Sequence, residues 1–107
     1  MNEISASDWV CAYCAPRRES FAAENLIKEG FEVYLPTYLR EVRHARRKSI
    51  EVRPLFPRYL FARSGLVTKP VQIIRRAPGV HSLVGGKDPT IVPGAVISYL
   101  QASEGDD

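Results

Sequence analysis

Little in this chain supports catalysis or passage across a membrane. It holds two cysteines, two histidines and one tryptophan. No apolar run approaches the roughly 20 residues that span a bilayer, and the opening Met1-Asn2-Glu3-Ile4 has neither the basic nor the apolar region of a signal peptide. The expected location is therefore cytoplasmic, with no membrane partner. Ser/His/Asp and Cys/His spacings are missing, as are paired carboxylates on a shared face. Gly85-Gly86-Lys87 lacks the strand-to-helix setting of a phosphate loop. The chain is not expected to be an enzyme or to take a small-molecule substrate. His44, in a charged hairpin, and His81, beside a turn, read as structural or solvated. Cys11 and Cys14 have the spacing of a metal or redox pair, but side chains three apart on a strand point to opposite faces. With no second Cys or His pair to complete four ligands, both read as structural cysteines, and neither metal nor other cofactor is expected.

What the sequence does have is an ordinary globular balance, 45% hydrophobic and 25% charged, in a length that suits one core. The most informative stretch is Arg53-Pro54-Leu55-Phe56-Pro57-Arg58-Tyr59-Leu60-Phe61-Ala62-Arg63. Its prolines bar helix, and the residues after Pro57 suit a strand. Tyr59 and Phe61 fall on one face of that strand, Leu60 and Ala62 on the other, so a central strand covered on both sides is expected. Positive charge gathers nearby. Between Arg40 and Arg58 stand Arg40, Arg43, Arg46, Arg47, Lys48, Arg53 and Arg58 against only Glu41 and Glu51. A polyanionic partner is consistent with that bias.

Taken in order, residues 1–7 read as a flexible N-terminus, and residues 8–14 as a strand with Trp9, Cys11 and Tyr13 on one face and Val10, Ala12 and Cys14 on the other. Pro16 fits the first turn of a helix over 17–29 that Gly30 ends. Ala22, Ala23, Leu26 and Ile27 share its core arc, while Arg17, Arg18, Phe21, Asn25 and Lys28 share the opposite one. That second arc is either a solvated face with one stray aromatic or a basic, base-stacking surface for single-stranded nucleic acid. Residues 31–35 form a strand with Phe31, Val33 and Leu35 inward. Residues 38–44 and 48–52 make a charged hairpin at the edge of the sheet, where charge also discourages aggregation. A strand over 58–64, a short helix over 69–76, a turn at Ala77-Pro78-Gly79, a strand over 80–84 and a helix over 94–102 follow. In the last helix Val96, Ile97 and Leu100 are spaced to pack down, and residues 103–107 look like the start of an acidic linker. The fold class is α+β.

An ordered set of short motifs resembles the N-terminal domain of the NusG family of transcription elongation factors. It comprises Trp9 and Tyr13, Pro16-Arg17-Arg18-Glu19, Glu24-Asn25-Leu26, Gly30-Phe31-Glu32-Val33-Tyr34-Leu35-Pro36, Pro54-Leu55-Phe56-Pro57-Arg58-Tyr59-Leu60-Phe61, Pro78-Gly79-Val80 and Ile91-Val92-Pro93. Within that family it is more similar to the specialised RfaH-type paralogues. The resemblance spans residues 8–102 and implies the NusG N-terminal α/β sandwich, an antiparallel sheet of about four strands flanked by helices. It also implies a transcription elongation and antitermination activity, in which the domain binds the clamp helices of RNA polymerase, favours the closed, processive state and suppresses pausing. The polymerase-binding residues it implies are Tyr13, Phe56, Pro57, Tyr59, Phe61 and Ile97. The basic face it implies, for the non-template DNA strand, comprises Arg17, Arg18, Phe21, Asn25, Lys28, Arg75 and Arg76. Ala15-Pro16 departs from the basic RfaH-type pattern after the first strand, which puts any DNA sequence preference in doubt. The loop Leu66-Val67-Thr68-Lys69 stands where the family reaches across the cleft. Family members usually continue through a linker into a C-terminal KOW barrel that recruits the ribosome or a termination factor. The residues after Ser103 are too few for one, which fits either a domain of a longer chain or a stand-alone domain uncoupled from translation.

Two alternatives stand beside that reading. The rings of Trp9, Tyr59 and Phe61 could be core beneath the helices, since the sequence does not say which strand parity faces them. A stand-alone single-stranded RNA-binding module would instead stack bases on an open sheet face.

Overall fold

A computed structural model describes residues 5–65 and 68–104. Leu66 and Val67 of the cleft loop, the first four residues and the last three lie outside the described residues. The elements in order are β1 (Trp9–Cys14), α1 (Glu19–Lys28), β2 (Glu32–Tyr34), β3 (Thr37–His44), β4 (Arg47–Pro54), β5 (Tyr59–Arg63), α2 (Val71–Arg76), β6 (Val80–Leu83), β7 (Ile91–Val92) and α3 (Gly94–Ser103). The fold is α+β with antiparallel sheets, as the sequence implies.

The main sheet runs β2-β5-β1-β6, with β7 also paired to β1. β5 is central, and the consecutive Leu60, Phe61 and Ala62 are all buried, as a strand covered on both faces requires. β6 and β7 share one edge of β1. Val84 N–H donates to Cys11 O, Ile91 pairs with Val10, and Thr90 N–H closes back on Val84 O, so residues 85–90 loop out of a single interrupted edge. This makes the sheet five-stranded rather than four.

Strand parity divides the interior into two cores. Val10, Ala12, Cys14, Leu60 and Ala62 face Ala22 and Leu26 of α1 and Ile74 of α2. Trp9, Cys11, Tyr34 and Phe61 face Ile97 of α3. Leu26 and Leu60 are fully buried, worth roughly 2 kcal/mol each by area removed from water. Helices on both faces therefore cover most of the sheet.

Several sequence expectations shift for local reasons. α1 starts at Glu19, not residue 17, because Pro16 occupies a turn before the helix. The helix ends as Gly30 requires: φ is +89°, Gly30 N–H donates to Ile27 O and Phe31 N–H to Leu26 O, the paired bonds of a Schellman cap. Ile27 is 58% exposed although it shares the core arc, because Leu26 and Ala22 already fill the contact with the sheet. Val96 likewise faces out while Ile97 and Leu100 pack inward. Ser5, Ala6 and Ser7, expected to be flexible, form a turn in which Asp8 N–H donates to Ser5 O, and Gly65 N–H donates to Ala6 O.

The largest departure is the hairpin β3-β4, which forms a separate two-stranded sheet and does not extend the edge of the main one. Ala45 and Arg46 both take positive φ, 45° and 71°, as a two-residue type I′ turn requires. Leu39, Ile50 and Val52 remain exposed. The radius of gyration, 15.1 Å, exceeds the roughly 13 Å expected of a compact chain this long, and the long axis reaches 56 Å. The projecting hairpin accounts for that excess.

Candidate polymerase and nucleic-acid surfaces

Three turns of the same type gather at the end of the sheet where β1 finishes and where β5 and β6 begin. They are Ala15-Pro16-Arg17-Arg18, Phe56-Pro57-Arg58-Tyr59 and Ala77-Pro78-Gly79-Val80. In each, the fourth residue's N–H donates to the first residue's carbonyl, proline stands second, and the third residue has positive φ: 62°, 76° and 94°. That is type II geometry, for which proline is preorganised. The turns are tied to β1, since Cys14 N–H donates to Arg58 O and Ala15 N–H to Gly79 O.

The second turn presents an aromatic patch. Tyr13 and Tyr59 are cross-strand partners whose ring centroids lie 5.1 Å apart. His81 of β6 meets the other side of Tyr13 edge-on at 5.8 Å, so a row of three rings crosses β5, β1 and β6. The Arg58 guanidinium lies 4.1 Å above the Tyr13 ring while its Nε donates to Cys14 O at 2.9 Å. Glu19, buried at the start of α1, accepts the Arg58 N–H. Phe56 and Leu55 stand exposed beside the row, with Pro57 in the turn.

Phe56, Pro57 and Tyr59 are thus exposed, and Tyr13 beside Tyr59 is half-buried beneath Arg58. Phe61 and Ile97 are buried. Phe61 stacks on Tyr34 and Ile97 is 1% exposed, both within the core under α3, so neither can line a contact surface in this structure. The same parity that sends Phe61 under the helix leaves Tyr59 beyond it. Trp9 is core as well, with the Arg63 guanidinium over its ring and Arg63 paired to Glu32.

The basic set divides similarly. Arg18 stacks on exposed Phe21 at 5.4 Å, and Arg17 sits in the turn before α1. Asn25, Lys28 and Arg76 line a cavity of about 360 Å³ between α1 and α2, together with Glu29. Asn25 is also a clasp, its Nδ2 donating to Phe21 O at 3.0 Å and to Pro78 O at 3.3 Å. Arg75 lies apart from this group. Its guanidinium donates to Gly86 O, and its Nε is buried without a hydrogen-bond partner among the described residues.

Cys11 and Cys14 lie in opposite cores, and burial pushes both thiols up to about 11. Such thiols stay protonated and unreactive at neutral pH. Sequence reasoning missed Arg58 and His81 as members of the aromatic region. The readable signal for Arg58 was its place between Pro57 and Tyr59 at the start of the strand. For His81 no signal exists, because its contact with Tyr13 depends on the β1-β6 register and the shift between Tyr13 and Cys14.

Comparison with the curated proteins finds no match. The model of one protein family, described as transcription termination factor NusG, matches residues 7–101. That stretch contains the whole main sheet, the three turns and nearly all of α3, and on it the chain belongs to the NusG family of transcription factors.

Proposed function

We propose that this domain is a cytoplasmic transcription elongation and antitermination factor, of the specialised RfaH-like kind, that docks on the clamp helices of bacterial RNA polymerase and suppresses pausing. The observation that carries the proposal is the aromatic row in which exposed Tyr59 and His81 flank half-buried Tyr13, with Phe56 and Leu55 also exposed. Uncovered aromatic clusters with an arginine at their centre are typical anchors of protein interfaces. A second surface, formed by Arg17, Arg18, Phe21, Asn25, Lys28 and Arg76, suits the non-template DNA strand, with Phe21 as the stacking ring and the cations as phosphate partners. Arg75 is left out of that surface because its guanidinium holds the 85–90 loop.

The RNA-module alternative needs an open sheet face on which bases can stack. Here α3 occupies that face over Trp9, Cys11 and Phe61, which leaves only the row at its end.

The test is titration against bacterial core RNA polymerase. Tyr13→Ala with Tyr59→Ala should weaken binding at least about 30-fold, the loss of roughly 2 kcal/mol expected of an interface hot spot, while Arg18→Gln with Lys28→Gln leaves it within a few-fold. Equal binding by wild type and a folded aromatic double variant would overturn the assignment. No binding by the wild type would overturn the polymerase reading itself.

A further inference from the structure

At the end of the sheet away from Tyr13 and Tyr59, a cavity of about 470 Å³ lies between α3, the last residue of β5 and the edge strand β2. That volume falls within the range of about 300–1,000 Å³ usual for small-ligand clefts. Trp9, Glu32, Arg63, Gly94 and Ser98 form part of its wall, and Ile27 and Val33 give it an apolar side. Neither the aromatic row nor the basic surface on α1 uses it.

Hydrogen-bonding groups are left over around this cavity. Trp9 is only 6% exposed, yet its indole N–H has no acceptor among the described residues and is not sealed from solvent. The cavity is the open space that Trp9 lines, and a buried indole N–H normally finds a partner. Arg63 is fixed by stacking on the Trp9 ring at 4.7 Å and by the bond from its Nε to Glu32 Oε2. Its two terminal nitrogens and Glu32 Oε1 make no hydrogen bond among the described residues. α3 starts at Gly94, behind Pro93, with no side-chain cap and no acidic residue in its first turn. The Gly94 and Ala95 amides therefore also lack an acceptor among the described residues.

We propose that this cavity is a binding site for a free α-amino acid with an apolar side chain. The carboxylate takes the Trp9 N–H, the terminal nitrogens of Arg63 and the start of α3, where the helix dipole favours an anion. The ammonium takes Glu32 Oε1, and the side chain lies on Ile27, which is 58% exposed, and Val33. Charge decides for a zwitterion over other small molecules. Arg63 and Glu32 already balance each other, so a plain carboxylate would stand beside the Glu32 carboxylate, and a plain amine beside the Arg63 guanidinium. An α-amino acid carries its two charges one carbon apart, which matches a cation and an anion that are themselves in contact. Bound there, it bridges β2 and β5 to α3 and leaves the Tyr13 and Tyr59 end of the sheet open.

Trp9 is the one tryptophan of the chain, so its indole N–H gives a single nuclear magnetic resonance signal at the site. The experiment titrates the nitrogen-15-labelled chain with L-leucine, L-isoleucine and L-phenylalanine. Two further probes, 4-methylpentanoate and isopentylamine, are leucine without its ammonium and without its carboxylate. At least one amino acid should shift the indole signal saturably with a Kd below about 1 mM, within reach of a ligand of about ten heavy atoms. Each truncated compound should bind at least about 10-fold more weakly than leucine, as should leucine to the Arg63→Gln and Glu32→Gln variants, since each removes one charged hydrogen bond. Ser98→Phe fills the cavity from an exposed position on α3 and should abolish binding with a melting temperature near that of the wild type. No saturable shift with any of the three amino acids overturns the proposal. So does 4-methylpentanoate binding as tightly as leucine, which would make this a site for simple anions. Undiminished leucine affinity in a folded Arg63→Gln, Glu32→Gln or Ser98→Phe variant overturns it as well. All of these readouts are independent of polymerase docking.

Discussion

Arg58 shows how much one residue can be asked to do. Its φ of 76° costs an L-residue about 1–2 kcal/mol, and three contacts offset that cost: Nε to Cys14 O, N–H to the Glu19 carboxylate and the guanidinium on the Tyr13 ring. The sequence offered proline before it and tyrosine after it, enough to expect a strand start, but not the αL conformation. Substitution separates the terms. Arg58→Ala keeps the strain and loses the side-chain contacts, so it should cost about 2–3 kcal/mol; Arg58→Gly loses the same contacts but relieves the strain, and should be about 1 kcal/mol more stable than the alanine variant. Urea unfolding of the three proteins checks the order. If alanine is the more stable of the two, the turn does not store strain. At this scale the candidate site was half legible. Tyr13 and Tyr59 could be placed on one strand face by alternation, whereas the burial of Phe61 depends on where α3 ends, which alternation does not encode.

Among elements, the Ala77-Pro78-Gly79-Val80 turn sets the distance between α1 and β6. A Cβ on Gly79 would lie 3.0 Å from both Ala22 Cβ and the Ala22 backbone nitrogen, at a φ of 94°. α1 cannot yield there, since Ala22 is fully buried against the sheet. Gly79→Ala should therefore cost at least about 2 kcal/mol, with αL strain and overpacking adding, and a lowered urea midpoint with an unchanged m-value checks it. A near-neutral result would mean that α1 slides outward, which would also disturb the Asn25 clasp on Pro78. Turn chemistry of this kind was readable from Pro-Gly and Pro-Arg pairs. Hairpin geometry was readable only in part: the paired strands follow from alternation, but nothing in residues 37–54 says that they leave the main sheet. Whether a charged hairpin lies along an edge or projects from it is decided by neighbours distant in sequence, and here β2 pairs with β5 on one side only.

For the whole molecule, the decisive arrangement is that α3 closes one face of the sheet, because this separates a buried core at Phe61 from an exposed row at Tyr59. Ile97 supplies the apolar contact, and Glu104 supplies a polar one where sequence suggested only the start of a linker. Tyr34 Oη donates to Glu104 Oε2 at 2.8 Å, and Thr37 Oγ1 donates to Oε1 at 3.0 Å. These bonds favour the carboxylate, and with Tyr34 contributing most they lower the Glu104 pKa, while burial and then the bond to Glu104 push the Tyr34 phenol up to about 12. The two shifts bound the pH range of the latch. A lowered carboxyl pKa gives stability that is present above its unfolded value and lost as pH falls through the folded one. A raised phenol pKa gives stability that is present below about 10 and lost as pH rises toward about 12. Glu104 is exposed, so solvent screening limits the latch to about 0.5–1 kcal/mol at neutral pH. Glu104→Gln should therefore melt below wild type at pH 7, with the difference closing on acidification below the ordinary carboxylate range. Tyr34→Phe should narrow the same difference, because Glu104 then keeps only Thr37. Thermal melts of the wild type, both single variants and the double variant across that range test the coupling. A gap that persists in acid, or single-variant losses that add in full, would mean that α3 is held by Ile97 and its apolar neighbours alone.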